Sequence, residues 1–205
     1  MTSVAGLVAS GADQASLSGV LSPLDCIVGL GANLGECERT FGWAVEQIQG
    51  LGEVTALSNL YENPAVGGPP QPDYLNAAVR VTTTLDPHAL LLGLQQIEKL
   101  AGRERTIKWG PRTLDLDLLW IAGVRIDTPS LTVPHPRLLD RAFALKPLAE
   151  VAPKARCPIS GLTYTNHLET LDVGCLKWIA AASGPPWKWS RQRSRTLVAA
   201  SVAYP

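Results

Sequence analysis

The segment from Gly110 to Trp120 constrains the fold of this chain more than any other part of it. A Gly-Pro turn leads into an alternating run in which one leucine separates Asp115 from Asp117. Successive side chains of a β-strand point to opposite faces, so both carboxylates would lie on one face and the leucines on the other. Neighbouring carboxylates repel each other unless a cation, a proton or water relieves them. The run therefore predicts either a cation site or a solvated strand face.

A cluster of basic residues precedes these aspartates. The ten residues from 103 to 112 contain Arg103, Arg105, Lys108 and Arg112, together with Trp109. A guanidinium group binds phosphate oxygens through a planar fork, and carboxylates bind Mg²⁺. The cluster by itself could be a solvated loop. Its position directly before the Asp-Leu-Asp run favours a site for a magnesium–polyphosphate complex.

Composition argues against binding to nucleic acid or to a membrane. The 18 basic and 18 acidic residues of the 205-residue chain cancel, so no net positive charge attracts either surface. The four cysteines have no Cys-x-x-Cys spacing, which is typical of free thiols in a reducing compartment. Residues 1 to 22 lack the basic start of a secretory signal, and no apolar run has the length of a membrane span. We therefore expect a cytoplasmic protein.

The order of the predicted elements indicates a ferredoxin-like fold. After a first strand and its glycine turn, we predict a helix over 36–49, a strand over 54–61 and a proline-rich loop over 63–73. A strand over 74–84 and a helix over 87–101 come before the Asp-Leu-Asp strand. This order matches an α+β, ferredoxin-like βαββαβ sandwich, in which helices pack on an antiparallel sheet.

We expect one domain between two terminal segments. Its predicted limits are residues 25–180, with an N-terminal extension over 1–24 and a C-terminal tail over 181–205. The signals after the Asp-Leu-Asp strand are weaker. They favour a short strand over 125–128 and two helical pieces between residues 136 and 181.

Four short motifs occur in an order and at a spacing that are specific to one enzyme family. They are Gly-Ala-Asn-Leu-Gly at 31–35, Gln-Pro-Asp-Tyr-Leu-Asn-Ala at 71–77, Gly-Pro-Arg-Thr-Leu-Asp-Leu-Asp at 110–117 and Leu-Thr-Val-Pro-His at 131–135. Together they resemble the motifs of the 6-hydroxymethyl-7,8-dihydropterin pyrophosphokinases of folate biosynthesis. The resemblance implies transfer of the diphosphate of ATP to the hydroxymethyl group of the pterin, with release of AMP.

The resemblance also implies roles for individual residues. Asp115 and Asp117 would hold two Mg²⁺ ions and, with Arg103 and Arg112, would be the catalytic residues. The co-substrate ATP would contact Gln95, Glu98, Arg105, Trp109, Arg112, Leu131, Thr132, His135 and Arg141. The pterin would contact Asn63, Pro64, Val66, Tyr74, Asn76 and Phe143. The two long loops, over 63–73 and 103–112, would close over both substrates. We expect the protein to act as a monomer.

Two other functions remain open. A ferredoxin-like binding module without catalysis could use the basic loop and Trp109 on RNA, although the two aspartates would repel a nucleic-acid backbone. An ATP-dependent transferase with the same fold could instead act on another hydroxymethyl heterocycle.

Overall fold

The computed structural model describes residues 22–103, 109–183 and 188–190. Its main sheet has seven strands, and all of their pairings are antiparallel. In chain order these strands are β1 (Leu24–Ala32), β2 (Glu53–Leu57), β3 (Leu60–Asn63), β4 (Tyr74–Thr83), β5 (Asp115–Ile121), β8 (Lys177–Ser183) and β9 (Lys188–Ser190). Across the sheet the order is β5, β1, β4, β3, β8, β9, and β2 pairs with β4 beside β3. A separate pair consists of β6 (Ile126–Asp127) and β7 (Thr132–Val133).

Helices cover both faces of the sheet. On one face lie α1 (Cys37–Ile48) and α2 (Pro87–Leu100), and on the other lie α3 (Ala142–Val151) and α4 (Tyr164–Leu168). A 3₁₀ turn, Leu138–Asp140, comes before α3. The start of α2 is well defined because the Asp86 carboxylate accepts hydrogen bonds from two backbone amides of its first turn.

The alternation of β1 places side chains in two separate cores. Cys26, Val28 and Leu30 pack with Phe41 and other residues on the face that α1 and α2 cover. Ile27 packs on the opposite face, where the buried side chains of α3 and α4 meet the sheet. No helix in the described part of the chain is both long and apolar enough to cross a membrane.

The predicted βαββαβ arrangement is confirmed, with one strand divided in two. The strand predicted over 54–61 forms β2 and β3, which pair with different parts of β4. Ser58 lies between them. Its hydroxyl accepts a 2.8 Å hydrogen bond from the Ala78 amide, and its own amide donates to the Ala78 carbonyl. The Ser58 hydroxyl thus accepts the hydrogen bond that a backbone carbonyl would accept in a regular strand, and the predicted strand is interrupted at this residue.

The C-terminal part of the sheet extends beyond the predicted domain. The predicted limit at residue 180 falls inside β8, and β9 lies wholly in the segment 181–205 that was expected to be a tail. Trp189 explains the difference. Its indole N–H donates to the Ser58 carbonyl at 2.8 Å, and its ring centre lies 6.0 Å from that of Phe41. The terminal segments 1–21 and 191–205 lie outside the described residues.

Candidate active site

Asp115 and Asp117 project from β5 toward the face of the sheet that α3 covers, whereas Leu114, Leu116 and Leu118 are buried under α1 and α2. The predicted alternation of the strand is therefore present. Both carboxylates line a cavity of about 420 Å³, which we call the first cavity. Its other polar or aromatic lining residues include Asn63, Tyr74, Asn76, Trp109, Arg112, Arg141 and Phe143.

A glycine of β1 forms the floor of the first cavity between two polar side chains. Gly31 is opposite Asn76 on β4 and opposite Asp115 on β5. A Cβ atom at position 31 would lie 3.7 Å from Oδ1 of Asn76 and 3.7 Å from Cβ of Asp115. Gly31 therefore keeps open the space between the amide and the carboxylate.

Arginines engage both oxygens of Asp115. Nη1 of Arg103 lies 2.6 Å from Oδ1, and Nη1 of Arg112 lies 2.6 Å from Oδ2. Arg103 also pairs with Glu98, which is almost fully buried on α2. Oε1 of Glu98 accepts a 2.7 Å hydrogen bond from the amide of Leu116. Glu98 thus connects α2 to the backbone of β5 and to the arginine that contacts Asp115.

Asp117 has a different environment from Asp115. Removal from water raises the pKa of Asp117 to about 6, and the charge of Asp115 adds to this rise. Among the described residues, the guanidinium group that pairs with Asp117 is that of Arg141, with Nη1 3.9 Å from Oδ2. The negative charge of Asp117 is therefore less well neutralised by arginines than that of Asp115. A carboxylate in this condition favours binding an added cation.

A second cavity, of about 260 Å³, lies at the outer edge of β5. Asp117 lines it as well as the first cavity, because β5 is an edge strand of the sheet. The other polar lining residues of the second cavity include Gln95, Thr128, Ser130, Thr132 and His135. The two cavities thus meet at a single carboxylate.

His135 is held in the second cavity in its neutral form. Burial and the positive charge of Arg141 lower the pKa of His135 to about 4. The amide of Arg137 donates to Nδ1 of His135 at 3.2 Å, so the ring proton is placed on Nε2. The imidazole therefore offers one hydrogen-bond donor at neutral pH and carries no charge.

Similarity to known proteins agrees with this geometry. Residues 27–153, more than half of the chain, match the family model of 7,8-dihydro-6-hydroxymethylpterin-pyrophosphokinase. The chain belongs to this family. It is 42% identical over 149 residues to the 2-amino-4-hydroxy-6-hydroxymethyldihydropteridine pyrophosphokinase of Synechocystis sp., an alignment covering 71% of this chain and 75% of that protein. The protein of the same name from Bacillus subtilis is 44% identical over 126 residues, covering 60% and 75%.

Solved structures support the fold of the pyrophosphokinase family for this chain. A crystal structure of Plasmodium falciparum HPPK-DHPS aligns with 87% of the chain at a TM-score of 0.63 and 13% sequence identity. The alignment covers 51% of that longer protein, so the chain spans about half its length. Membership of the family makes the chain a diphosphotransferase of folate biosynthesis that acts on hydroxymethyldihydropterin. The family uses ATP.

The structure brings together the residues that we predicted for the pterin side of this pyrophosphokinase. All six of them line the first cavity: Asn63, Pro64, Val66, Tyr74, Asn76 and Phe143. Asn76 is buried, and its Nδ2 donates to Oδ1 of Asn63 at 2.6 Å. The ring of Phe143 is covered by the guanidinium group of Arg141, 5.7 Å from the ring centre. An amide and an aromatic ring thus line the same cavity, which is a combination that suits a flat heterocycle.

The described nucleotide-side residues that we predicted are divided among three places. Gln95, Leu131, Thr132 and His135 line the second cavity. Trp109, Arg112 and Arg141 line the first cavity, and Trp109 is half exposed there with a φ of 59°. Glu98 lies behind β5 next to Arg103, as described above. Arg105 and Lys108 lie outside the described residues.

Two residues that we did not select connect the loops around the first cavity. Oδ1 of Asn33 accepts from the Arg112 amide at 2.8 Å, and its Nδ2 donates to Oε1 of Gln71 at 3.0 Å. Gln71 in turn donates to the Trp109 carbonyl at 2.9 Å. The hydroxyl of Tyr74 donates to the Gly110 carbonyl at 3.0 Å. Asn33 and Gln71 belong to the motifs at 31–35 and 71–77, and this position was a signal that could have identified them.

The donor set fits Mg²⁺ bound together with a polyphosphate. In the described ranges, no group of three or more His, Cys, Asp and Glu side chains forms a metal site. Two carboxylates on one strand face are present instead, at Asp115 and Asp117. Protein-bound Mg²⁺ commonly takes one or two carboxylates and completes its coordination with water and substrate phosphates. The site therefore suits a metal that arrives with its nucleotide.

Proposed function

We propose that the two cavities hold the two substrates of one transfer reaction and that Asp117 lies at the point where they meet. ATP would occupy the second cavity and extend its phosphates toward β5. The dihydropterin would occupy the first cavity, with its hydroxymethyl group directed to the same carboxylate. The observation that carries this proposal is that Asp117 lines both cavities. Transfer between two bound molecules requires such a common boundary.

The pterin side of the site recognises a neutral, planar ring. Asn76 is fixed by its hydrogen bond to Asn63, so its amide would present a constant edge to the ring. Phe143 would stack on the ring face, and Tyr74 would close another side. Pro64 and Val66 complete the lining of this part of the cavity. This combination favours a heteroaromatic acceptor over an RNA backbone, since two carboxylates would repel phosphates that arrive without a cation.

The charged residues would bind the triphosphate and position it. Arg112 and Arg141 line the first cavity near both aspartates, and Arg103 lies behind Asp115. Two Mg²⁺ ions, held by Asp115 and Asp117, would neutralise the phosphate charge and draw electron density from the bond that breaks. The hydroxymethyl oxygen would form a bond to the β-phosphorus and release its proton to water, while the bond from the β-phosphorus to the bridging α-phosphate oxygen breaks and AMP leaves. Gln95 and the neutral His135 would hydrogen-bond the nucleotide in the second cavity, beside Leu131 and Thr132.

The proposal is tested by measuring AMP formation from ATP and Mg²⁺ with and without 6-hydroxymethyl-7,8-dihydropterin. A matched control acceptor is 6-methyl-7,8-dihydropterin, which has the same ring but no attacking oxygen. We expect AMP only with the hydroxymethyl compound and none in the presence of EDTA. If folded protein forms no AMP, the proposed reaction is wrong, and a binding module or another acceptor takes its place.

Three further features stay predictions of this proposal: two metal ions, a monomeric protein and a cytoplasmic location. The number of ions can be counted by titrating Mn²⁺ into the protein with a non-hydrolysable ATP analogue. Sedimentation would give the oligomeric state. Neither result depends on catalytic turnover.

A further inference from the structure

Both oxygens of Asp115 already contact protein cations. One of its oxygens is 2.6 Å from Arg103 and the other is 2.6 Å from Arg112. The three side chains are only 20%, 12% and 22% exposed, respectively, so water screens these pairs weakly. A divalent ion that binds Asp115 needs one of the same oxygens. The metal and the arginines therefore compete for this carboxylate.

Arg103 has a second anionic partner that would hold it in place during such an exchange. Glu98 pairs with Arg103 and also accepts the amide hydrogen of Leu116. Because Glu98 is 4% exposed and bound to the β5 backbone, its position is fixed. Arg103 can therefore release Asp115 and stay anchored through Glu98.

The charges of this group also disfavour a metal that arrives alone. Among the described residues, the ion pairs around β5 join three carboxylates to three guanidinium groups, and these charges cancel: Glu98, Asp115 and Asp117 with Arg103, Arg112 and Arg141. A divalent ion alone would add two positive charges beside the arginines, which repel it at such short distances. A triphosphate supplies negative charge for both the metal and the arginines.

We propose that Arg103 makes metal binding at Asp115 conditional on the nucleotide. A divalent ion binds Asp115 tightly only when a triphosphate gives Arg103 and Arg112 a new anionic partner. By linkage, the metal then strengthens nucleotide binding by the same factor. This inference rests on the proposed function, because it takes Asp115 as a metal ligand.

The test measures Mn²⁺ binding to the whole chain by electron paramagnetic resonance, first without nucleotide. Arg103→Gln removes one positive charge from Oδ1 of Asp115, so we expect Mn²⁺ affinity to rise by about tenfold or more. Arg103→Lys keeps the charge and should bind Mn²⁺ as weakly as the unaltered protein. The matched control is Arg80→Gln, since Arg80 also pairs with an aspartate, Asp25, but at the other end of β1. This control should leave Mn²⁺ affinity unchanged.

The same titration with a non-hydrolysable ATP analogue measures the coupling. The analogue should strengthen Mn²⁺ binding strongly in the unaltered protein and about tenfold less in Arg103→Gln. The proposal is overturned if folded Arg103→Gln binds Mn²⁺ no more tightly than the unaltered protein without nucleotide. If that variant does not fold, Arg112→Gln frees the other oxygen of Asp115 and provides the same test.

The outcomes separate this proposal from the proposed function. AMP formation by the unaltered protein, with no effect of either arginine substitution on Mn²⁺ affinity, would contradict only the conditional binding. Tighter Mn²⁺ binding by Arg103→Gln in a protein that forms no AMP would contradict only the reaction.

Discussion

Asn76 and Asp115 are both register partners of Gly31, one on each strand that flanks β1. Neighbouring strands are about 4.8 Å apart, so the backbones that carry this amide and this carboxylate are roughly 10 Å from each other, separated by a residue that has no side chain. The sheet itself thus sets the width of the first cavity between the residue proposed to read the pterin and a residue proposed to hold metal.

Gly31→Val should weaken pterin binding and leave the fold intact. A Cβ atom fits at 3.7 Å from its neighbours, but the two methyl groups of valine would extend into the space between Asn76 and Asp115. Overpacking of this kind costs about 1–3 kcal/mol, or roughly 5- to 150-fold in affinity. Calorimetric titration with the pterin measures the loss, and Gly31→Ala should show a smaller one. An unchanged pterin affinity in Gly31→Val would mean that the pterin binds elsewhere.

Asp117→Ala should abolish turnover and weaken Mg²⁺-dependent ATP binding. The variant loses the carboxylate that lines both cavities, and we expect a rate at least about 100-fold lower, as is usual when a group that stabilises developing charge is removed. AMP formation and nucleotide titration with and without Mg²⁺ measure the two effects. Asp127→Ala, an exposed aspartate in β6, is the matched control and should keep full activity. Near-normal turnover by Asp117→Ala would exclude its role in binding metal.

His135 should make the folded state less stable in acid. Its pKa is about 4 in the folded protein and about 6.5 when unperturbed, so between these values the unfolded chain takes up a proton that the folded chain does not. The contribution of His135 to the free energy of unfolding is fully present above pH 6.5 and is lost as the pH falls toward 4. His135→Asn cannot take up this proton. Between pH 7 and pH 4 the unaltered protein should therefore lose about 1–3 kcal/mol more than the variant.

Urea unfolding at several pH values measures this difference. The matched control is His88→Asn, because His88 is exposed on α2. That variant should follow the pH dependence of the unaltered protein. Parallel curves for the unaltered protein and His135→Asn would show that His135 has an ordinary pKa in the folded state.

Trp189→Ala should destabilise the whole domain, although the residue lies in a segment that was predicted to be a tail. The indole packs on Phe41 and donates to the Ser58 carbonyl, so its removal leaves a cavity and an unpaired acceptor. We expect a loss of about 2–3 kcal/mol in the free energy of unfolding. Trp178→Ala is the comparison, because that side chain is 45% exposed and should contribute less. A loss for Trp189→Ala no larger than that of an exposed residue would indicate that β9 does not stabilise the sheet.

Local patterns were sufficient for most of the elements. The alternation around Asp115 predicted which side chains of β5 face the core, and the helix predicted over 87–101 is α2. The break at Ser58 could not be predicted, because it depends on a hydrogen bond to Ala78, twenty residues away. The sheet strands beyond residue 180 were missed for a related reason. Their sequence has no clear period, and their contacts are with β3 and α1 rather than with chain neighbours.

In the candidate site, too, local sequence patterns predicted some features and contacts between distant residues decided others. Motif spacing indicated the family and the residues for each substrate, because the types of side chain that bind phosphate, metal and a flat ring can be recognised along the chain. Which of those side chains share a cavity depends on the register of β1 with β4 and β5 and on the position of β5 at the sheet edge. That Arg103 is divided between Glu98 and Asp115 also depends on how α2 packs behind β5.

By itself, the sequence determined most of the strands and helices and the chemical groups that this protein carries, since these follow from periodicity and residue type over short distances. Only the tertiary structure decided that Asp117 lies between two cavities and that Asp115 is held by two arginines. Those relationships join residues from separate elements, and they exist only when the sheet is paired and the helices are packed on it.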